Sequence, residues 1–219
     1  MRVFFSNPLD ALYYFICTVI LCLLFQIFFL RKSAKQSRVY LSIRHFLWVY
    51  VFLIYLMFVY KETGMGTLWI IGRYETLIRM EQISLIPFAD IGITSGVINY
   101  FLNIVMTIPL GFLLPLIWPE FRSYKKVVLT GFAFSLLIEL SQLLNLRATT
   151  IDDLVMNTLG SFIGCLIFRL LHHVIYKTRT FRPTLRSTSP IMRHEALIYI
   201  FCSFVGMFLF FNSLWEFPI

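Results

Sequence analysis

The sequence predicts an all-α membrane protein, a polytopic bundle of about six transmembrane helices with both termini on the outer side. Three observations predict it. Of 219 residues, 59% are hydrophobic and only 14% are charged, against roughly 25% charged in a soluble domain. The apolar residues, 24 phenylalanines among them, gather into uncharged runs close to the ~20 residues a spanning helix needs. Lys and Arg between the runs fall alternately dense and sparse. Lipid therefore replaces most of a conventional core.

Ala11 to Leu30 forms the first run, interrupted only by Thr18 and Gln26. The others are Ile43 to Tyr60, Ile98 to Trp118, Lys126 to Asn145, Asp153 to Leu171 and Ala196 to Trp215, each bounded by charge or by Pro and Gly. A cleavable leader has a shorter apolar run and a small-residue cleavage site. Here a full-length run meets Arg31 and Lys32 directly, so the first span is expected to stay. The implied organisation is two helices with a basic loop (1–60), an external loop (61–97), three central helices (98–171), a cytoplasmic linker (172–195) and a last helix (196–219).

Cytoplasmic loops retain Lys and Arg, which sets the direction of the bundle. The first loop holds Arg31, Lys32, Lys35, Arg38 and Arg44; the third holds Arg122, Lys125 and Lys126; the stretch after the fifth span holds Arg169, Lys177, Arg179, Arg182, Arg186 and Arg193. Only Arg2, Lys61, Arg73, Arg79 and Arg147 fall on the other side. This split disperses the net charge of +8, so no basic face for nucleic acid is expected; attraction to anionic lipid is. Cys17, Cys22, Cys165 and Cys202 lie within spans as small apolar residues, and no disulfide or metal spacing follows. His45, His172, His173 and His194 are expected at the interface near helix ends. In the external loop, Trp69, Ile70, Ile71, Tyr74, Leu77, Ile78 and Leu85 stand among Arg73, Glu75, Arg79, Glu81 and Gln82. That mixture suits either an interfacial amphipathic helix ended by Pro87 or an ordinary loop packed on the bundle.

Ionisable groups within spans are costly, and each is a functional candidate. Glu139 stands out. Ser135, Glu139 and Gln142 share one face at i, i+4, i+7; Asn99, Asn103 and Met106 repeat the spacing in the third span, and Asp153, Asn157, Gly160 and Gly164 form a stripe on the fifth. The two glycines let a neighbouring backbone come close. Polar groups thus collect at the outer ends of three helices, with no comparable cluster at the inner ends of the same three. The loop before the fifth span adds Arg147, a counter-charge for Glu139, and Asp152 beside Asp153. Pro109 and Pro115 should kink the third helix, with Gly111 between them; bending around a cavity and irregular packing both remain open. Arg169 is expected to snorkel.

The candidate ligand-binding set is therefore Asn103, Glu139, Gln142, Arg147, Asp152, Asp153 and Asn157. Three uses of it stay open: coordination of a divalent cation through oxygen, general-base chemistry by Glu139, Asp152 or Asp153 on a lipid-linked substrate, and interhelical hydrogen bonding alone. No resident cofactor is expected.

These residues resemble the VanZ-like family of bacterial multi-span membrane proteins. The resemblance runs from Leu85-Ile86-Pro87-Phe88 through Asn103 and Ile108-Pro109-Leu110-Gly111 to Ile138-Glu139-Leu140-Ser141-Gln142, then Arg147, and Ile151-Asp152-Asp153-Leu154 with Asn157, Gly160 and Gly164. It covers about the central half of the chain, leaving the first two spans and the sixth largely outside. Ser84 departs from the asparagine expected before Leu85. The resemblance implies a cytoplasmic-membrane protein whose named relative confers resistance to the glycopeptide teicoplanin. The leading expectation is a non-enzymatic protein with an outward-facing polar pocket for envelope lipids, lipid-linked intermediates or lipophilic glycopeptides. The alternatives are an intramembrane hydrolase or transferase, which lacks a Gly-x-Ser-x-Gly motif, and a small transporter, for which no internal repeat is visible.

Overall fold

The computed structural model describes residues 8–31, 43–71, 83–84, 86–88, 94–144, 149–176 and 193–211. The fold is nearly all helical. Helix α1 spans Pro8–Phe25 and continues as a π-helical turn, Gln26–Leu30. The others are α2 (Ile43–Thr63), α3 (Thr94–Ile117), α4 (Tyr124–Gln142), α5 (Ile151–Tyr176) and α6 (Glu195–Phe210). Helices α2, α3 and α5 are long and apolar enough to cross a membrane. The described parts of α1 and α6 are apolar but shorter, and α4 carries Lys125, Lys126 and Glu139.

Contacts between helix ends give the directions. Thr63 at the end of α2 meets Gln142 at the end of α4, Trp69 after α2 meets Leu209 near the end of α6, and Thr150 before α5 meets Glu139. Gln26 beyond α1 meets Tyr199 near the start of α6. Successive helices therefore alternate in direction. We call the end where α3 and α5 begin the upper end.

Among the described residues α3 packs most extensively on α5, and the two run in the same direction, Gly160 and Gly164 meeting Ile104 and Ile108 in order. A Cβ added at Gly160 would lie 2.2 Å from the Ile104 carbonyl oxygen, one at Gly164 2.0 Å from that of Ile108, and one at Gly111 1.8 Å from that of Ser161. Backbone touches backbone here, which only glycine permits. Both Pro109 and Pro115 lie inside the unbroken α3, and Tyr55 of α2 donates to the Met106 carbonyl at 2.8 Å, in the stretch that Pro109 loosens. At Gly111 the outcome is tight packing against α5. Helix α4 runs antiparallel to α5, and Ser161 of α5 lies against Gly131 of α4 as well as Gly111 of α3. The buried apolar core extends from here through Phe52, Leu53, Leu56 and Tyr60 of α2 to Tyr199 and Met207 of α6.

Between α2 and α3 the described residues include a short strand. Helix α2 ends at Gly64, whose φ of 61° is readily adopted without a Cβ. A 3-10 turn follows at Leu68–Ile70, and Ile83–Ser84 forms a strand, β1, paired in parallel with β2, Thr149–Thr150. Pairing satisfies backbone groups that a helix reaching Pro87 would have satisfied internally, and β-branched Ile83, Thr149 and Thr150 suit it. Residues 72–82, the centre of the segment for which the sequence leaves an interfacial helix and an ordinary packed loop both open, lie outside the described residues.

Candidate functional site

The upper ends of α3, α4 and α5 bring most of the expected residues together. Helix α5 starts where it does because Thr150 caps it: the Thr150 Oγ1 accepts the Asp153 N–H at 3.1 Å, the N-cap to N3 bond of a helix start. This fixes β2 directly above α4, and the Thr150 N–H donates to Glu139 Oε2 at 3.2 Å. Glu139 is buried. Its face-mates on α4 are buried too: Ser135 accepts from Asn157 Nδ2 at 3.0 Å, and Gln142 Nε2 donates to the Thr63 carbonyl at 2.6 Å. Asp153, half-buried, accepts from Asn103 Nδ2 and is near enough to Glu139 to interact with it electrostatically.

Asp152 points elsewhere. It is buried, and its carboxylate accepts the Phe88 N–H at 2.9 and 3.1 Å and the Tyr100 hydroxyl at 2.9 Å. Phe88 has a φ of 60°, a left-handed conformation that costs a non-glycine residue about 1–2 kcal/mol. Asp152 thus holds the Pro87-Phe88 turn against α3 and α5, where the Phe88 ring stands edge-on to Tyr100. Replacing Asp152 with Asn removes one acceptor and should cost about 1–2 kcal/mol. The measurable result is faster amide hydrogen exchange at Phe88, with α4 unchanged; equal exchange in both proteins would contradict the latch.

Two further residues named from the sequence are not seen in this arrangement, one because it is exposed and one because it is not among the described residues. Asn99 is exposed, so α3 contributes one carboxamide. Arg147 lies outside the described residues. Away from the cluster, an apolar cleft of ≈ 290 Å³ lies between α1 and α6, lined by Leu24, Phe28, Phe201 and Val205 among others. Among the described residues no group of three or more His, Cys, Asp and Glu is placed to hold a metal ion.

Two atoms stand out at the upper cluster. Gln142 Oε1 and Asn157 Oδ1 are buried without a hydrogen-bond partner, a condition that costs about 1–3 kcal/mol per group. For Gln142 the orientation is fixed, because the Thr63 carbonyl can only accept.

A second polar cluster occupies the opposite end, on helices α1, α2 and α6. Glu195, at the first turn of α6, is only 3% exposed, and its carboxylate meets His45 Nε2 at 2.9 Å and Trp118 Nε1 at 3.0 Å. Nearby, Gln26 donates to the Tyr199 hydroxyl at 2.9 Å and accepts from Tyr50 at 3.0 Å. Polarity therefore gathers at both ends of the bundle, above on α3 to α5 and below on α1, α2 and α6. Gln26, which interrupts the first apolar run, and His45, near a helix end, are the signals of the lower cluster in the sequence. Arg169 also has partners: it lies 3.6 Å over the Tyr124 ring and donates to the Arg122 carbonyl at 2.6 Å.

A nearly all-α chain with three span-capable helices and buried polar residues at the bundle end defines an integral membrane protein class. The profile of the VanZ/LLP1 family matches residues 46–172, more than half of the chain, and the chain belongs to that family. It is a VanZ-like membrane protein. The match takes in most of α2, beyond the segment that carries the motif resemblance. Comparison with curated proteins and with solved structures finds no match.

Proposed function

We propose that the chain crosses the bacterial cytoplasmic membrane several times with its upper end facing outward, and that the upper cluster binds envelope-lipid headgroups or alters the access of lipid-anchored glycopeptide antibiotics of the teicoplanin kind. The alternating helix directions and the concentration of Lys and Arg in lower-end loops support the orientation. The observation that carries the binding reading is the pair of buried, unpaired carboxamide oxygens on Gln142 and Asn157 in a cluster with Glu139 and Asp153. Interhelical glue alone would be better served by paired groups or by apolar ones.

Binding without catalysis is favoured over hydrolysis by the placement of Asp152, whose two oxygens are committed to Phe88 and Tyr100. Lipids retained by the purified protein provide the test. The wild type is expected to keep a lipid species enriched over the bulk membrane, and Glu139→Gln to lose about tenfold of that enrichment, as for one charge-assisted bond. Identical retention by both proteins would return the cluster to a packing role. The antibiotic branch is read separately: deleting and overexpressing the gene should shift glycopeptide susceptibility in opposite directions, and unchanged susceptibility would remove that branch.

A further inference from the structure

Two carboxamide oxygens at the upper cluster lack a hydrogen-bond donor. Gln142, 5% exposed, and Asn157, 2% exposed, each leave an oxygen without a donor, and both belong to the cluster that contains the carboxyls of Glu139 and Asp153. The helix directions aim these side chains at one level. Cα–Cβ bonds tilt toward a helix's N-terminus. Helix α4 starts at the lower end, so Gln142 leans down toward Glu139; α5 starts at the upper end, so Asn157 leans up toward Asp153. The register agrees, since Asn157 bonds Ser135 one turn below Glu139, and Thr150 bonds Glu139 itself. By register, the two amides belong to residues one turn above and one turn below the level of Glu139. Asn103 and Asp153, both half-buried, form the more accessible side.

From this we infer that the site takes a headgroup carrying a primary ammonium, as in an aminophospholipid. Resting on the headgroup-binding reading above, this narrows the ligand class. A primary ammonium brings positive charge to the carboxyls and three N–H donors to orphaned oxygens. A quaternary ammonium brings the same charge and no N–H donor. A bare phosphate brings only further acceptors and negative charge. Donor chemistry therefore discriminates among headgroups that net charge alone would not separate.

The test compares phosphatidylethanolamine with phosphatidylcholine of identical acyl chains. Full-length protein is reconstituted into vesicles holding equal amounts of both, extracted, and its retained lipid measured by native mass spectrometry. Wild type is expected to keep the ethanolamine lipid over the choline lipid by about tenfold, the scale of one charge-assisted hydrogen bond. Glu139→Gln still offers the Thr150 N–H an acceptor, so it should stay folded while the ratio falls toward one. Asn157→Leu, which removes the orphaned oxygen itself, should lower the ratio independently. Equal retention of the two lipids by wild type overturns the inference. If another lipid is then found enriched, headgroup binding survives without the ammonium preference; if none is enriched over bulk, both fall together. A wild-type preference left unchanged in Glu139→Gln and Asn157→Leu also overturns it, because selection would then occur elsewhere.

Discussion

Gly164→Leu is expected to abolish the folded protein. The position offers no room for a side chain: a Cβ there would lie 2.0 Å from the Ile108 carbonyl oxygen and 2.9 Å from the Phe112 amide nitrogen. Both obstacles are backbone atoms of α3, so relief requires the whole helix to move. Overpacking a core by side-chain crowding costs about 1–3 kcal/mol, and displacing a helix backbone should exceed that range. Separating α3 from α5 would also disturb the Asn103–Asp153 contact and the placement of Asn157. The expected result is loss of monodisperse protein in mild detergent, while Val155→Leu, on the exposed side of α5, should behave as wild type. A well-folded Gly164→Leu protein would show that α3 and α5 do not meet as described.

The second large effect is expected at the other end of the bundle. Glu195→Ala removes the acceptor shared by His45 and Trp118, and the Trp118 indole N–H, at a residue 3% exposed, is left buried without a partner. An orphaned buried donor costs about 1–3 kcal/mol, and the loss of the His45 contact adds to it. Reversible denaturation in micelles should show the destabilisation. A cycle with His45→Ala should give coupling in the range of about 0.5–3 kcal/mol expected for residues in contact. Additive effects of the two substitutions would contradict the contact. The prediction also separates the two clusters, because Glu195→Ala should leave the lipid preference of the upper site intact in whatever protein remains folded.

The main features of the upper site were legible because helical spacing is a local property. Ser135, Glu139 and Gln142 share a face by arithmetic, as do Asp153 and Asn157, and the small residues at 160 and 164 announce a close neighbour. The family resemblance pointed to the same residues. Hidden from that reading was everything decided by partners distant in sequence. Glu195 and His45 are 150 residues apart, and each alone looks like a polar residue at a helix end. The parallel pairing of Ile83–Ser84 with Thr149–Thr150 joins two-residue strands, too short to leave a periodic pattern. Asp152 and Asp153 looked like one acidic pair, but neighbouring helical positions point about 100° apart. One therefore latches the Phe88 turn, while the other faces Asn103. Asn99 failed in the opposite sense: it shares the spacing of Asn103 but is exposed, since periodicity identifies a stripe and not how far along it the packing extends.

The central claim is that the cluster of Glu139, Gln142, Asp153 and Asn157 opens toward the exterior of the cell. Ile86, 72% exposed and two residues from the Phe88 turn that Asp152 holds, is the position from which to ask. In a background where Cys17, Cys22, Cys165 and Cys202 are replaced, Ile86→Cys is treated in intact cells with a membrane-impermeant maleimide. The account predicts labelling from outside without permeabilisation, at a rate unchanged when the cells are opened. Labelling only after the membrane is breached would place the upper end in the cytosol and contradict it.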